Sequence, residues 1–366
     1  MARSPRSSAS CSCSLSSPSS RPACSARERN ISAATARKGG LTAAVLAVLC
    51  VLPFVVSQYQ LDFLIFLLIN VIVVASYRLI TTTGEFSLGH VVMMGSGAYA
   101  SAILTKQAGL SPWLSMPLGG VVAGLLAYLL SFPLFRMKGF YFLIGSFAAG
   151  EAIRLCWNRF REPFGGPKGI KLIPAPELGA LNIGAAFNYY FFTLIVVLVS
   201  LVILYRIERS RIGLIFNAIH WRDVLAESVG VHTWRYRMLA LVTASFFVGI
   251  AGALLAHYIG TINPNRFGLA IMLYVLVWVI VGGTNTFYGP IIGVTVLSVI
   301  DEFIRAFEEL RPLIYGGILI ATVRFLPQGL ESLPQRLLGW WRALRRQALP
   351  AEGPPSPRSD SDRSPP

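Results

Sequence analysis

Between residues 41 and 327 the sequence passes through ten apolar runs, approximately 41–56, 61–80, 88–105, 113–134, 139–157, 188–205, 238–258, 268–282, 289–306 and 312–327. A helix of about 20 apolar residues crosses the hydrocarbon layer of a bilayer. In lipid, every backbone N–H and C=O must find its partner inside the protein, which leaves helices or closed barrels. Runs of this length favour helices. The expected fold class is therefore all-α: a polytopic helical membrane protein with about ten transmembrane or partly inserted helices. Composition agrees. Hydrophobic residues make up 54% of the chain and charged residues 13%, against about a quarter charged in soluble domains, and the mean hydropathy is +0.60.

The formal net charge of +15 would suit nucleic acid, but its distribution points to a membrane. Residues 1–38 hold seven Lys/Arg against one acid, and residues 336–366 hold six against three. Both ends are low-complexity, with "SPRSSASCSCSLSSPSSRPACSARE" at one and "PAEGPPSPRSDSDRSPP" at the other. Such segments bury too little apolar surface to offset the entropy of ordering. The domain organisation expected is a disordered basic tail over 1–38, a transmembrane domain over 39–330 and a basic Pro/Ser-rich tail over 331–366. The first tail is also rich in Ser and Arg and poor in acids, as a transit peptide is, but it is read here as a cytoplasmic terminus. Basic segments stay on the cytoplasmic side of a membrane. That rule puts both termini, the loop "LFRMKG" and residues 206–237, with six Arg against three acids, on the cytoplasmic face. Residues 158–187 resist, because alternation places Arg159, Arg161, Lys168 and Lys171 outside.

The chemistry of an enzyme is missing. No G-x-x-x-x-G-K-[ST] phosphate loop occurs, since "FGGPKGI" has its glycines and lysine in the wrong order. No G-x-S-x-G or H-E-x-x-H pattern is present. Cys11, Cys13 and Cys24 lie in the tail, Cys50 and Cys156 in apolar context, and four scattered histidines complete no metal-ligand spacing. Neither a metal nor a cofactor is expected in this chain. Asp62, Glu85, Glu151, Asp301 and Glu302 fall near predicted span ends, where a carboxylate reaches interfacial water. Glu85, beside Gly84, stands just before a glycine-rich opening.

Two segments share that habit, "SLGHVVMMGSGAYASAIL" (87–104) and "GGTNTFYGPIIGVTVLS" (282–298). Closely set glycines in membrane helices permit backbone contact between helices, and paired glycine-interrupted segments in two halves mark transporter repeats. Packing and pathway roles both remain open for Gly89, His90, Gly95, Gly97, Tyr99, Gly282, Gly283, Gly289, Pro290 and Gly293.

The polar stretch "NAIHWRDVLAESVGVHTWRYR" (217–237) interrupts the apolar pattern. Read as one helix, it carries a stripe of Trp221, Val224, Leu225, Ser228 and Val229, and a polar stripe of His220, Asp223 and Glu227. Gly230 stands where such a helix would stop. Glu227 lies in the last turn, where the helix dipole disfavours a negative charge. A helix lying on the membrane surface with Trp221 as its anchor is the plain alternative.

Four blocks then resemble a known family, the permease subunits of branched-chain amino acid ABC importers, and within it the M-type (LivM-like) subunit. They are "SLGHVVMMGSGAY" (87–99), "RMKGFYFLIGSFAAGEAIRLCWNRF" with "FGGPKGI" (136–170), "SRIGLIFNAIHWRDVLAESVGVHTWRYRMLALVTASFFVGIAGALLAHYIGTINPNRF" (210–267) and "GGTNTFYGPIIGV" (282–294). Asn285 departs from the family's usual glycine, and Phe164, Pro167 and Lys168 from its usual Thr, Ser and Asp. The resemblance implies a bacterial inner-membrane protein, multi-pass, that forms a heterodimer with a homologous permease. Cytoplasmic ATPase subunits, which bind the ATP, and an extracytoplasmic solute-binding protein would complete the importer. It also implies that His220, Trp221, Arg222, Asp223, Glu227 and Gly230 couple the permease to the ATPase. The cargo implied is a branched-chain amino acid or a related small polar solute such as urea or a short amide. An ion-coupled secondary transporter is the alternative function.

Overall fold

A computed structural model describes residues 46–178, 181–182, 184–305, 310–326 and 329–332. The expected tails, 1–38 and nearly all of 331–366, lie outside the described residues. The chain divides into two compact units, Met1–Ser57 and Gln58–Pro366. In the first, residues 46–51 are helical and run into a 3-10 turn at Leu52–Phe54.

The second unit is built from eleven helices among its described residues. They are α1 (Gln58–Thr81), α2 (His90–Lys106), α3 (Pro112–Leu134), α4 (Phe140–Arg159), α5 (Ala186–Glu208), α6 (Arg211–Trp221), α7 (Asp223–Ser228), α8 (Thr233–Ile259), α9 (Leu269–Gly282), α10 (Gly289–Ile304) and α11 (Arg311–Phe325). Strand is confined to two-residue pieces. β1 (Ile170–Lys171) pairs antiparallel with β4 (Thr261–Ile262), and β2 (Glu177–Leu178) with β3 (Leu181–Asn182). The protein is an all-α polytopic membrane protein.

Among the described residues, five helical segments are long and apolar enough to cross a bilayer: Gln58–Thr81, Pro112–Leu134, Ala186–Glu208, Thr233–Ile259 and Pro264–Gly282. Within the described residues, the remaining apolar runs form shorter or more polar helices. α2 shows why. Gly, Ser, Ala, Thr and His replace the large aliphatics a lipid-facing helix carries, and thirteen of its seventeen residues are buried against protein.

α1, α2, α3 and α8 make the core, and small residues decide how closely they approach. A Cβ at Gly97 on α2 would lie 2.4 Å from the Cα of Gly249 on α8; one at Gly252 would lie 1.9 Å from Met94 O, and one at Gly119 on α3 2.6 Å from Gly97 O. Backbone meets backbone, the arrangement that close packing in lipid favours.

The loops sort to two ends. At one, Arg78 near the end of α1 donates to both carboxylate oxygens of Glu208 (3.0 and 2.6 Å) and to Thr284 O (2.5 Å). Glu331 there accepts from the backbone N–H groups of Asn285 (3.1 Å) and Thr286 (2.9 Å). At the other end, Nε2 of His257 lies 2.9 Å from Ser101 Oγ and Nδ1 lies 2.7 Å from Pro174 O. Lys106 donates to Lys171 O (2.8 Å). Lys171 and Pro174, in the basic loop 158–187, belong to this second end, opposite residues 206–237.

Candidate functional site

Residues 206–237 form a folded unit at the Arg78 end. Ser210 caps α6, its Oγ accepting from Ile212 N (3.2 Å). Gly213, Phe216 and Ile219 are its buried face. No Cβ fits at Gly213, where it would stand 1.8 Å from Glu208 O.

The single helix read from the sequence is broken. Arg222 takes an extended backbone (φ −152°, ψ 85°), which ends α6 and starts α7 on a new axis. Two stripes drawn on one cylinder therefore do not survive. Asp223 turns inward: its Oδ2 lies 2.8 Å from Lys138 Nζ and 3.1 Å from Arg237 Nη2. Arg237, on α8 and buried, also reaches Glu85 Oε1 at 3.5 Å. Glu85, in the α1–α2 loop, accepts from the Gly139 N–H (3.2 Å) in the α3–α4 loop. Burial pushes the Glu85 carboxyl above its ordinary value, with Arg237 and the Gly139 N–H pulling the other way. Two carboxylates and two cations thus tie α7, α8 and two loops together. His220 rests on the α1–α2 loop, where a Cβ at Gly84 would lie 3.3 Å from its Nδ1.

Glu227 does not need a partner outside the protein. Its Oε1 accepts from Thr233 Oγ1 (2.6 Å), at the start of α8. That bond explains a carboxylate at an unfavourable helix end. Gly230 has the left-handed conformation expected of it (φ +86°). Its N–H bonds Glu227 O (2.9 Å) while Val231 N–H bonds Ala226 O (3.1 Å), the paired bonds of a Schellman stop.

The outward face is apolar. Trp221, Val224 and Val229 are each more than three-quarters exposed, and Leu225 is exposed beside them. An exposed patch of this kind at a loop marks a contact surface.

The glycine motifs sit elsewhere and pack. A Cβ at Gly89 would lie 2.7 Å from Ser146 O, and one at Gly95 2.7 Å from the Trp157 ring. At Gly282 it would lie 2.3 Å from Gly289 O, at Gly289 2.3 Å from Gly283 O, and at Gly293 2.2 Å from Trp278 O. Gly283 has φ +102°, and Pro290 opens α10. His90 is buried, its Nε2 3.1 Å from Ser76 Oγ, with the Tyr77 ring edge-on at 5.2 Å. Tyr99 is buried and its ring lies 4.8 Å from that of Trp157. A cavity of about 940 Å³ lies between α1, α9, α10 and α11, and none of these motif residues lines it. The sequence reading missed Arg237 and Lys138, which look like ordinary interfacial cations, and Asn70 in the cavity wall, one amide inside an apolar run.

Residues 59–323 match the family described as "Branched-chain amino acid transport system / permease component". The chain belongs to this family. It is a transport permease rather than an enzyme, and a LivM-like one. The high-affinity branched-chain amino acid transport system permease protein LivM of Salmonella typhimurium is 29% identical over 331 residues, covering 83% of this chain and 78% of that protein. LivM of Escherichia coli is 28% identical, covering 82% and 76%. A probable LivH permease of Methanocaldococcus jannaschii is 24% identical, covering 73% of this permease and 86% of its own length. No solved structure matches the chain.

Proposed function

We propose that this permease is one half of a heterodimeric pore in an ABC importer. It carries branched-chain amino acids, or a related small polar solute such as urea or a short amide, inward across a bacterial inner membrane. A homologous permease forms the other half, a separate ATPase drives it, and a solute-binding protein delivers cargo outside. Residues 39–330 are the membrane domain, the flanking tails lie in the cytoplasm, and residues 206–237 face the ATPase.

The observation that carries this reading is the 206–237 loop. Its apolar face is exposed while its carboxylates are bound inward, so a partner pressing on Trp221, Val224 and Val229 would push on a piece already tied to α8 and to two inter-helix loops. A shift between conformations requires a partner that contacts them differently, and an ATPase closing on ATP is such a partner.

The test is uptake into proteoliposomes. Leucine uptake should require the ATPase, the sister permease, the binding protein and ATP. Uptake by this chain alone, driven by a proton or sodium gradient, would overturn the reading in favour of a secondary transporter.

A further inference from the structure

We propose that the basic hollow between the end of α2 and residues 161–171, at the end opposite residues 206–237, is a seat for the extracytoplasmic solute-binding protein. It takes carboxylate side chains from that protein's surface. This names a docking surface within the importer reading and rests on it.

Charge is the first argument. A cavity of about 560 Å³ opens at this end, lined by Lys106, Arg161, Lys168 and Lys171 against a single acid, Glu162. All five residues are exposed. Among the described residues, none of the four cations has a carboxylate partner. They gather on the side of the membrane that the positive-inside rule leaves poor in cations. Unpaired cations around one hollow repel each other and raise its potential, so the hollow attracts and steers an anionic partner.

The hollow is also firmly built. Lys106 ends α2 and donates to Lys171 O (2.8 Å), which fastens one wall to the other. Gly165 has φ +80°, and a Cβ there would lie 2.2 Å from Gly169 O. Gly169 has φ +66°, and its Cβ would lie 1.8 Å from Ile262 O in β4. Glycine at these two positions lets the loop double back on itself and on β4. That fold brings Arg161 and Lys168 to the same hollow.

Leu172 makes the partner a protein. It follows Lys171, is 86% exposed and has φ +57°. Its backbone is pinned on both sides: Lys171 pairs with Thr261, and the Ile173 N–H bonds Gly260 O (3.0 Å). An apolar side chain is thus held out into water on a left-handed backbone that a leucine adopts only under strain. A small anion has no apolar surface for it to meet, whereas a protein surface has both carboxylates and apolar groups. Position argues against a lipid head group. The floor of the hollow is the end of α2, which is buried against protein along its length. The large aliphatics exposed on α3 and α5, such as Leu125, Leu129, Val199 and Val202, do not line it. On the importer reading this end faces outward, where the binding protein arrives.

The experiment uses the complete complex in phosphatidylcholine nanodiscs and the system's own binding protein loaded with leucine, with association and dissociation followed by interferometry. Arg161→Glu with Lys168→Glu should slow association about tenfold at low salt. The deficit should vanish in about 1 M salt, where charges are screened beyond about 3 Å. Leu172→Gly should hasten dissociation about tenfold, as the loss of one buried leucine side chain would. Its melting temperature should be no lower than wild type, since glycine suits a left-handed backbone. A carbodiimide, which joins an amine to a carboxylate, should link Lys168 to an Asp or Glu of the binding protein. Lys168→Arg should lose that link and keep the association rate. Association that the charge reversal leaves unchanged, or slows equally at both salts, overturns the proposal, and so does a missing link at Lys168. Unchanged dissociation of Leu172→Gly overturns the choice of a protein over a small anion. Added phosphatidylglycerol that raises the melting temperature of wild type but not of the double variant, with association the same in both, gives the hollow to lipid head groups instead. Leucine uptake is measured separately. ATP-driven uptake that needs the binding protein, with association untouched by the charge reversal, sinks the docking surface alone. Uptake by this chain alone on an ion gradient sinks the importer reading, whatever the charge reversal does.

Discussion

Asp223, the first residue of α7, points into the protein and binds Arg237 on α8, Oδ2 to Nη2 at 3.1 Å. The pairing reverses the polarity a helical wheel assigns to this loop. Asp223 and Glu227 hold the loop down through Arg237 and Thr233, and the apolar residues Trp221, Val224 and Val229 are left outside.

Arg237→Met should therefore destabilise the subunit more than Asp223→Asn. Arg237 serves two carboxylates, and Glu85 beside it is buried. Removing one partner of a buried pair costs roughly 3–5 kcal/mol because a charge is left uncompensated. Asp223→Asn keeps the shape of the side chain, and Lys138, largely exposed, returns to water. Thermal unfolding of the purified subunit in detergent checks the order; equal losses would mean that Glu85 and Arg237 are not coupled.

The same cluster predicts a pH dependence. Burial raises the Glu85 carboxyl above its ordinary 4.5 in the folded protein. The folded state then binds this proton more tightly than the unfolded state, so stability falls as pH rises from about 4.5 through the raised value and levels off above it. Glu85→Gln has no such proton. The stability of wild type minus that of Glu85→Gln should decline across this window and be flat above it. A difference that rises with pH would reverse the sign of the Glu85 shift.

What could be read from the sequence was what depends on neighbours within one helix. Spans are visible because hydropathy accumulates along a run, and Gly230 is visible because a left-handed stop needs that residue. The inward turn of Asp223 is not, since it depends on the extended backbone of Arg222 and on Arg237 and Lys138, which come from other segments. Glu227 raised the right question, and its answer, Thr233, lay six residues away on the next helix. The close packing of the glycines was foreseeable; that Gly97 meets Gly249 was not, because the two are brought together only by the tertiary fold.

Gly97→Ala should disrupt the core where Gly316→Ala does not. A methyl at Gly97 would collide with the Cα and O of Gly249, both backbone, whereas one at Gly316 on α11 meets nothing within 4 Å. Overpacking of a core costs typically 1–3 kcal/mol, while alanine for glycine inside a helix is favourable by up to about 1 kcal/mol. Yields and melting temperatures of the two variants in detergent should move in opposite directions. If Gly97→Ala melts with wild type, the α2–α8 contact is looser than the backbone distances require.

The exposed face of the 206–237 loop yields the sharpest separation of stability from function. Trp221, Val224 and Val229 touch little of the subunit itself, and surface substitutions away from packed features cost within about 0.5 kcal/mol. Trp221→Ala with Val224→Ser should leave the melting temperature of the isolated subunit where it was. The same pair should remove most capture of the ATPase in a pull-down and most solute-stimulated ATP hydrolysis in the reconstituted complex, because apolar contact area is what the face offers. Glu227→Gln keeps an acceptor for Thr233 and should change neither readout by more than about twofold, a shift of roughly 0.4 kcal/mol. Gly230→Leu would force a branched side chain into a left-handed turn and should lower ATPase capture through misdirection of α7. The competing outcome is specific: Trp221→Ala with Val224→Ser releases the loop from lipid vesicles and leaves ATPase capture intact. In that case the face is a membrane anchor, and the ATPase must dock on another part of the same end of the molecule.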